Sequence, residues 1–243
     1  MKLTKSSLAL RCALARQLPD QGGFTFLELL IVFAIIAILA ALAVVALASA
    51  LSKAQMSGTM NNAHQLFLAQ FSMANDGAAT SGSNLAWPGD YNPPIPNLET
   101  YINKMVGPGY VKGGDVAKLL SAAGCNLGVA VISGPPESVT FAVNTKSALK
   151  VHPVQEGDPA NAIFATSRNY IYDTALTGSA VPYGTKGFIV VRKGGDAAVF
   201  KSGQATVAGW GNDQIKCQNG VGLKHGDNLG TVTPNDPANT LIY

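Results

Sequence analysis

Between Leu29 and Ala48 the chain runs for twenty residues without one polar side chain. At about 1.5 Å rise per residue, such a run spans roughly 30 Å as a helix, the thickness of a bilayer's hydrocarbon core. We read it as a membrane-spanning helix. Glu28 stands immediately before the run. A carboxylate at the mouth of a membrane helix is costly unless a partner neutralises it, which makes Glu28 a functional candidate. A cut after Gly23 would expose an α-amino group on Phe24, one helical turn away, and so supply that partner.

The stretch Gly22-Gly23-Phe24-Thr25-Phe26-Leu27-Glu28-Leu29-Leu30 and the apolar run behind it closely resemble the N-terminal cleavage and methylation segment of type IV pilins and of the pseudopilins of type II secretion systems. In that family a dedicated peptidase cuts after a glycine, and the new first residue, usually phenylalanine, becomes N-methylated. The fifth mature residue is a glutamate. The resemblance extends over roughly residues 22–75 and rests on the register of glycine, aromatic and glutamate against an uninterrupted apolar run. It implies cleavage between Gly23 and Phe24, N-methylation of Phe24 and an assembly role for Glu28.

The same resemblance implies storage in the bacterial inner membrane as a single-pass protein, with the N-terminus cytoplasmic and the head periplasmic. It implies polymerisation through the N-terminal helix into a pilus or a secretion pseudopilus, a cell-surface filament in the first case. The partners it implies are other copies or related subunits, prepilin peptidase, an inner-membrane assembly platform and membrane lipid. One departure stands out. Many family members carry a helix-breaking proline about twenty residues past the cut, whereas this chain has Val44-Val45 there and neither Pro nor Gly between Phe24 and Gly58. Nothing in that span gives the helix a built-in reason to open.

Two other readings compete for the same residues. A basic n-region, an apolar core and Ala48-Ser49-Ala50 also describe a secretory signal peptide cut after Ala50. The run, however, exceeds the roughly 7–15 residues of an h-region and has an acidic residue at its border. A plain single-span anchor is the other.

The charge balance follows from the same division. Four of the 17 basic side chains (Lys2, Lys5, Arg11, Arg16) and one of the 14 acidic ones (Asp20) precede Gly23, so 13 of each remain after it. A balanced chain lacks the electrostatic footprint of a general nucleic-acid binder, and no nucleic-acid partner is expected. The leader charges read as an orientation signal. Cys12 lies in the leader, leaving Cys125 and Cys217. Either they pair, closing a loop of about ninety residues worth roughly 4–5 kcal/mol, or they are two buried thiols, since sequence cannot show their distance.

Past the span, Met56, Met60, Ala63, Phe67, Phe71 and Ala74 recur at helical spacing opposite a Ser/Asn/Gln face. Asn75-Asp76-Gly77 supplies a stop. The expected organisation is a leader over 1–23, one long helix over 24–76 with its span at about 29–48, and a globular head over 77–243. The expected class is α+β and pilin-like, the membrane half of the helix followed by an amphipathic half packed on a small antiparallel sheet.

Within the head, a loop-rich stretch over 77–114 includes a short helix from about Asn97 to Met105. A second helix is read with Asp115 as N-cap and Gly124 as stop. Leu127–Ser133 and Ser138–Thr145 read as a hairpin, with Ala162–Thr166 and, more weakly, Tyr170–Tyr172 as further strands. Phe188–Arg192, Ala197–Phe200 and Ala205–Ala208, separated by glycine-bearing turns, read as a three-strand meander. The tail from Gly209 is rich in Gly, Asn, Asp and Pro. Its Asp213, Asp227 and Asp236 offer hard oxygen ligands of the kind Ca²⁺ favours, though such residues are ordinary turn formers too. No other cofactor is implied.

Catalytic signatures are missing from the sequence. His64, His152 and His225 do not fall in metal-ligand spacing, and there is no nucleophile elbow, phosphate-cradling loop or dinucleotide fingerprint. The expectation is a structural subunit and not an enzyme. The alternative function class is a membrane-tethered or secreted periplasmic binding module, whose part from Gly77 onward would recognise a ligand.

Overall fold

The computed structural model describes residues 23–80 and 84–243. All of the expected leader (1–23) but Gly23 lies outside the described residues, as do Ser81, Gly82 and Ser83. The chain is α+β with a pilin-like layout, a long apolar N-terminal helix followed by small antiparallel sheets. It divides into two compact units, Met1–Leu47 and Ala48–Tyr243. Helix α1 (Phe26–Thr80) begins in the first and continues into the second.

The helix starts two residues later than expected and runs past Asn75-Asp76-Gly77 to Thr80. Gly77 is buried, and its role is not to stop the helix. A Cβ there would stand 1.7 Å from the carbonyl oxygen of Leu85, so the missing side chain lets the returning chain cross the helix in backbone contact. The helical face buried in the second unit is also rotated from the expected stripe. Met56, Ala63, Phe67 and Ala74 are buried, but so are Thr59, Leu66, Gln70 and Met73, whereas Phe71 is 45% exposed.

Two short helices follow, α2 (Leu98–Val106) and α3 (Gly113–Leu120). Asn97 caps α2, its side-chain oxygen accepting from the Thr100 N–H at 2.8 Å. Asp115 is not the cap of α3. That helix begins two residues earlier, and a carboxylate from elsewhere serves it: Glu137 Oε2 accepts the Gly113 N–H at 3.1 Å.

Strands β1 (Val129–Ile132) and β2 (Ser138–Phe141) form the expected antiparallel hairpin, Ile132 opposite Ser138. The second sheet is four-stranded and antiparallel in the order β3-β4-β5-β6, with β3 Leu149–Val151, β4 Ile163–Ser167, β5 Phe188–Arg192 and β6 Ala197–Phe200. Every residue of β4 is buried. Phe164 and Val191 join a core with Leu66, Phe67 and Met73 of α1, while Ile163, Phe188, Val190 and Phe200 join Tyr170, Tyr172, Cys217 and Val221. A strand covered on both faces needs an apolar run rather than strict alternation.

Two strand readings fail. Ala205 and Thr206 bend between the 3₁₀ turns Ser202–Gln204 and Val207–Trp210, and Val207 and Ala208 open the second of them. The Val207 N–H, which a ladder would need, donates instead to Asp173 Oδ1 at 2.8 Å. Tyr170–Tyr172 is irregular chain leading into a turn, held by the Tyr170 ring stacked 3.9 Å from Phe188 and by the Tyr172 hydroxyl donating to Gly222 O. The glycine-rich turn between β5 and β6 is as read. Gly195, at φ +90°, lies where a Cβ would come within 2.9 Å of the Phe67 ring.

Candidate functional site: the N-terminal segment and the head surface

Gly23, Phe24 and Thr25 precede the helix without regular structure, and all three are exposed. Among the described residues nothing lies within 4 Å of where a Gly23 Cβ would sit. The glycine answers no crowding among the described residues, and a need for it would come from whatever grips the Gly23–Phe24 peptide. Phe24 and Phe26 are 79% and 80% exposed.

Glu28 has a partner that the sequence reading missed. Its Oε2 accepts the Thr25 N–H at 2.8 Å and the Thr25 hydroxyl at 2.9 Å, and the Glu28 N–H donates back to Thr25 Oγ1 at 3.2 Å. Leu29 N–H donates to Thr25 O, the first bond of the helix. This is a capping box, Thr25 at the cap and Glu28 three residues on, which satisfies donors that a helix start leaves open. The signal was present as Thr-x-x-Glu ahead of an apolar run. It also turns the carboxylate toward the Phe24–Thr25 peptide.

Behind this start, the most apolar 18-residue window of α1 has a mean hydropathy of 3.3, and none of its described residues is buried. Leaving that surface in water forfeits roughly 25 cal/mol per Å² of apolar area, so the stretch calls for lipid or another apolar helix.

The prokaryotic N-terminal methylation motif matches residues 18–49. The chain carries the prepilin-type segment. This segment is the signature of type IV pilin and pseudopilin precursors processed by prepilin peptidase, and it points to a structural subunit rather than an enzyme. With the apolar helix, it fits a protein anchored in the inner membrane. Comparison with curated proteins and with solved structures yields no match.

The remaining candidates lie apart from the prepilin-type segment. Cys125 and Cys217 are both buried and both free, so the disulfide option is not the one this structure takes. Cys125 sits in the short Ala122–Cys125 bridge, whereas Cys217 lies on α4 (Gln214–Gly220) in the aromatic core behind the sheet. Burial, with Asp173 adding to it, pushes the Cys217 thiol up to about 11.

The three aspartates read as calcium candidates are each engaged by protein groups. Asp213 caps α4, accepting the Lys216 N–H at 3.0 Å. Asp227 accepts from the Thr233 hydroxyl at 2.6 Å and pairs with Lys224 at 3.4 Å. Asp236 pairs with Lys150 and accepts the Tyr172 N–H at 3.1 Å. Asp227 and Asp236 line one cleft of about 490 Å³ with Lys224 and His225, and Asp213 is not among its walls. Among the described residues no three His, Cys, Asp or Glu side chains converge as a metal site.

Sequence reasoning also missed the buried polar residues that dock α1 in the second unit. Gln70, fully buried, donates to Ala86 O and accepts from the Tyr101 hydroxyl at 2.7 Å. Tyr183 donates to Thr59 Oγ1 at 2.6 Å. Gln70 and Thr59 lie off the apolar Met/Phe stripe read from the sequence, Gln70 on the face read as polar.

Proposed function

We propose that the chain is a structural filament subunit of the type IV pilus and type II secretion pseudopilus class, cut after Gly23 and assembled through its N-terminal helix. The observation that carries this reading is the coincidence of the methylation motif with an apolar helix in whose span no described residue is buried. A span covered by its own fold would have no need of neighbours; this one gains by packing against the same helix of other subunits. The leader is residues 1–23, the processed chain begins at the freed Phe24, two residues before helix α1, with the N-terminus toward the cytoplasm, and the part from residue 77 onward is the periplasmic head. The work of such a subunit is mechanical, extending a surface pilus or pushing cargo as a short pseudopilus.

Glu28 has two jobs in this reading. Within its own chain it caps the helix through Thr25. In the filament its charge meets the Phe24 amine of a neighbour, where a buried pair sets register more surely than it adds stability. Glutamine serves the capping box as well as glutamate does but carries no charge. Glu28→Gln should therefore leave the helix start intact, reach the membrane and assemble poorly, as should Glu28→Ala. Wild-type filament yield from Glu28→Gln, with loss only in Glu28→Ala, would reduce Glu28 to a helix cap and remove the charge-pairing role.

A further inference from the structure

A depression of about 630 Å³ opens on the second unit where three lysines from separate segments meet: Lys53 on α1, Lys186 in the loop before β5, and Lys201 after β6. All three are exposed, and Lys186 Nζ donates to Ser52 Oγ at 2.9 Å. Among the described residues lining it there is no carboxylate. The walls between the ammonium groups are apolar, formed by Met56, Val199 and Phe200. Val199 is 43% exposed although it sits on an edge strand of the sheet.

The geometry points to a binding site for one anionic phospholipid, with the headgroup phosphate among Lys53, Lys186 and Lys201 and the glycerol and first methylenes against Val199 and Phe200. Three observations commit the site to lipid. The first is charge: three ammonium groups with no acid among them attract an anion, and each lysine can rest its methylene stem on the apolar wall while its charge reaches the phosphate. The second is the apolar lining, which a free phosphate has no use for. The third is position along the chain. Ser49, another of the lining residues, directly follows the Leu29–Ala48 run, and Lys53 comes one helical turn later. The boundary of a hydrocarbon-length span is where headgroup phosphates lie. Juxtamembrane lysines gain affinity from anionic lipid charge by charge, so three together give a preference for anionic over zwitterionic lipid on the order of tenfold to a hundredfold. The inference rests on the membrane-anchored reading of the prepilin-type segment and would make this face of the head a lipid-contacting face before assembly.

The test uses the full chain. Flotation with vesicles of phosphatidylcholine alone, and of phosphatidylcholine with phosphatidylglycerol, reads anchoring itself. Native mass spectrometry from detergent, with the two lipids competing at equal concentration, reads the site. The expected result is flotation with both vesicles and at least about tenfold preferential retention of phosphatidylglycerol. That preference should fall to near one in Lys186→Gln/Lys201→Gln and stay unchanged in Lys112→Gln, an exposed lysine elsewhere on the head. Tryptophan fluorescence of each variant checks that the head is folded. Flotation with equal retention of the two lipids overturns the site while leaving the anchor. Failure to float with either vesicle overturns both. Displacement of the bound lipid by millimolar inorganic phosphate would mean a free-phosphate site, and loss of self-association without a change in lipid preference would mean a subunit interface; either result overturns the lipid assignment.

Discussion

The docking of α1 in the second unit can be tested at one buried hydrogen bond. The Tyr101 hydroxyl donates to Gln70 Oε1 at 2.7 Å, both residues are fully buried, and the Gln70 amide donates onward to Ala86 O at 3.0 Å. Burial pushes the Tyr101 phenol well above its ordinary value, so it stays protonated as the donor. Tyr101→Phe keeps the ring and removes the hydroxyl, stranding Gln70 Oε1 without a donor, which costs about 1–3 kcal/mol. With a urea slope of about 2 kcal/mol/M for a domain of this size, the midpoint should fall by about 0.5–1.5 M. Gln70→Met should cost a similar amount by stranding the Tyr101 hydroxyl and the Ala86 carbonyl. Because the double variant loses one shared bond rather than two, its cost should be less than the sum by on the order of 1 kcal/mol. Urea titration of the full chain in detergent, followed by the fluorescence of Trp87 and Trp210, measures all four corners of the cycle. Additive single effects, or a Tyr101→Phe midpoint within about 0.2 M of wild type, would refute the reasoning.

Three further outcomes follow from particular residues. Burial pushes His152 down to about 4, against the pull of Asp236 and with Lys150 and Lys224 adding to the effect. Its unfolded value is about 6.5, so this group adds no pH dependence above that and should cost the head up to about 3 kcal/mol as pH falls from 6.5 to 4; urea midpoints at pH 7.5 and 4.5 should show this slope and His152→Gln should flatten it. The processed chain, denatured without reductant, should take two alkyl groups, at Cys125 and Cys217, and resist labelling while folded; a chain that takes none until reduced would contradict the free thiols. Gly77→Ala should destabilise the head by about 1–3 kcal/mol despite alanine's better helix propensity, because its Cβ meets Leu85 O, and an unchanged urea midpoint would count against that close crossing.

The parts of this chain that were legible in its sequence are those fixed by local pattern. A span of bilayer length, the apolar runs of β4 and β5 and the short helix starting near Asn97 all depend on residues near one another, and all appear in the structure close to where the pattern puts them. The misreadings have a shared cause, which is that a distant group took over a local signal. Gly77 reads as a stop until Leu85 is seen crossing it. Asp115 reads as a cap until Glu137 is found at Gly113. Strand β3 went unread because Lys150 and His152 look solvated, yet Lys150 is buried against Asp236, some 86 residues away in sequence. The lysine depression was invisible for the same reason, its three charges being dispersed over the chain. The Thr25–Glu28 capping box is the exception. It is local, but the Phe24 amine that a cut would free stands one turn from Glu28 and reads as its partner first.

The central claim, that this is a processed filament subunit, is tested most directly by the N-terminal residue and intact mass of the protein from its native membranes. The account predicts a chain beginning at Phe24, with or without one added methyl group. A chain beginning at Leu51, or an intact Met1 that persists in the presence of prepilin peptidase, would contradict it.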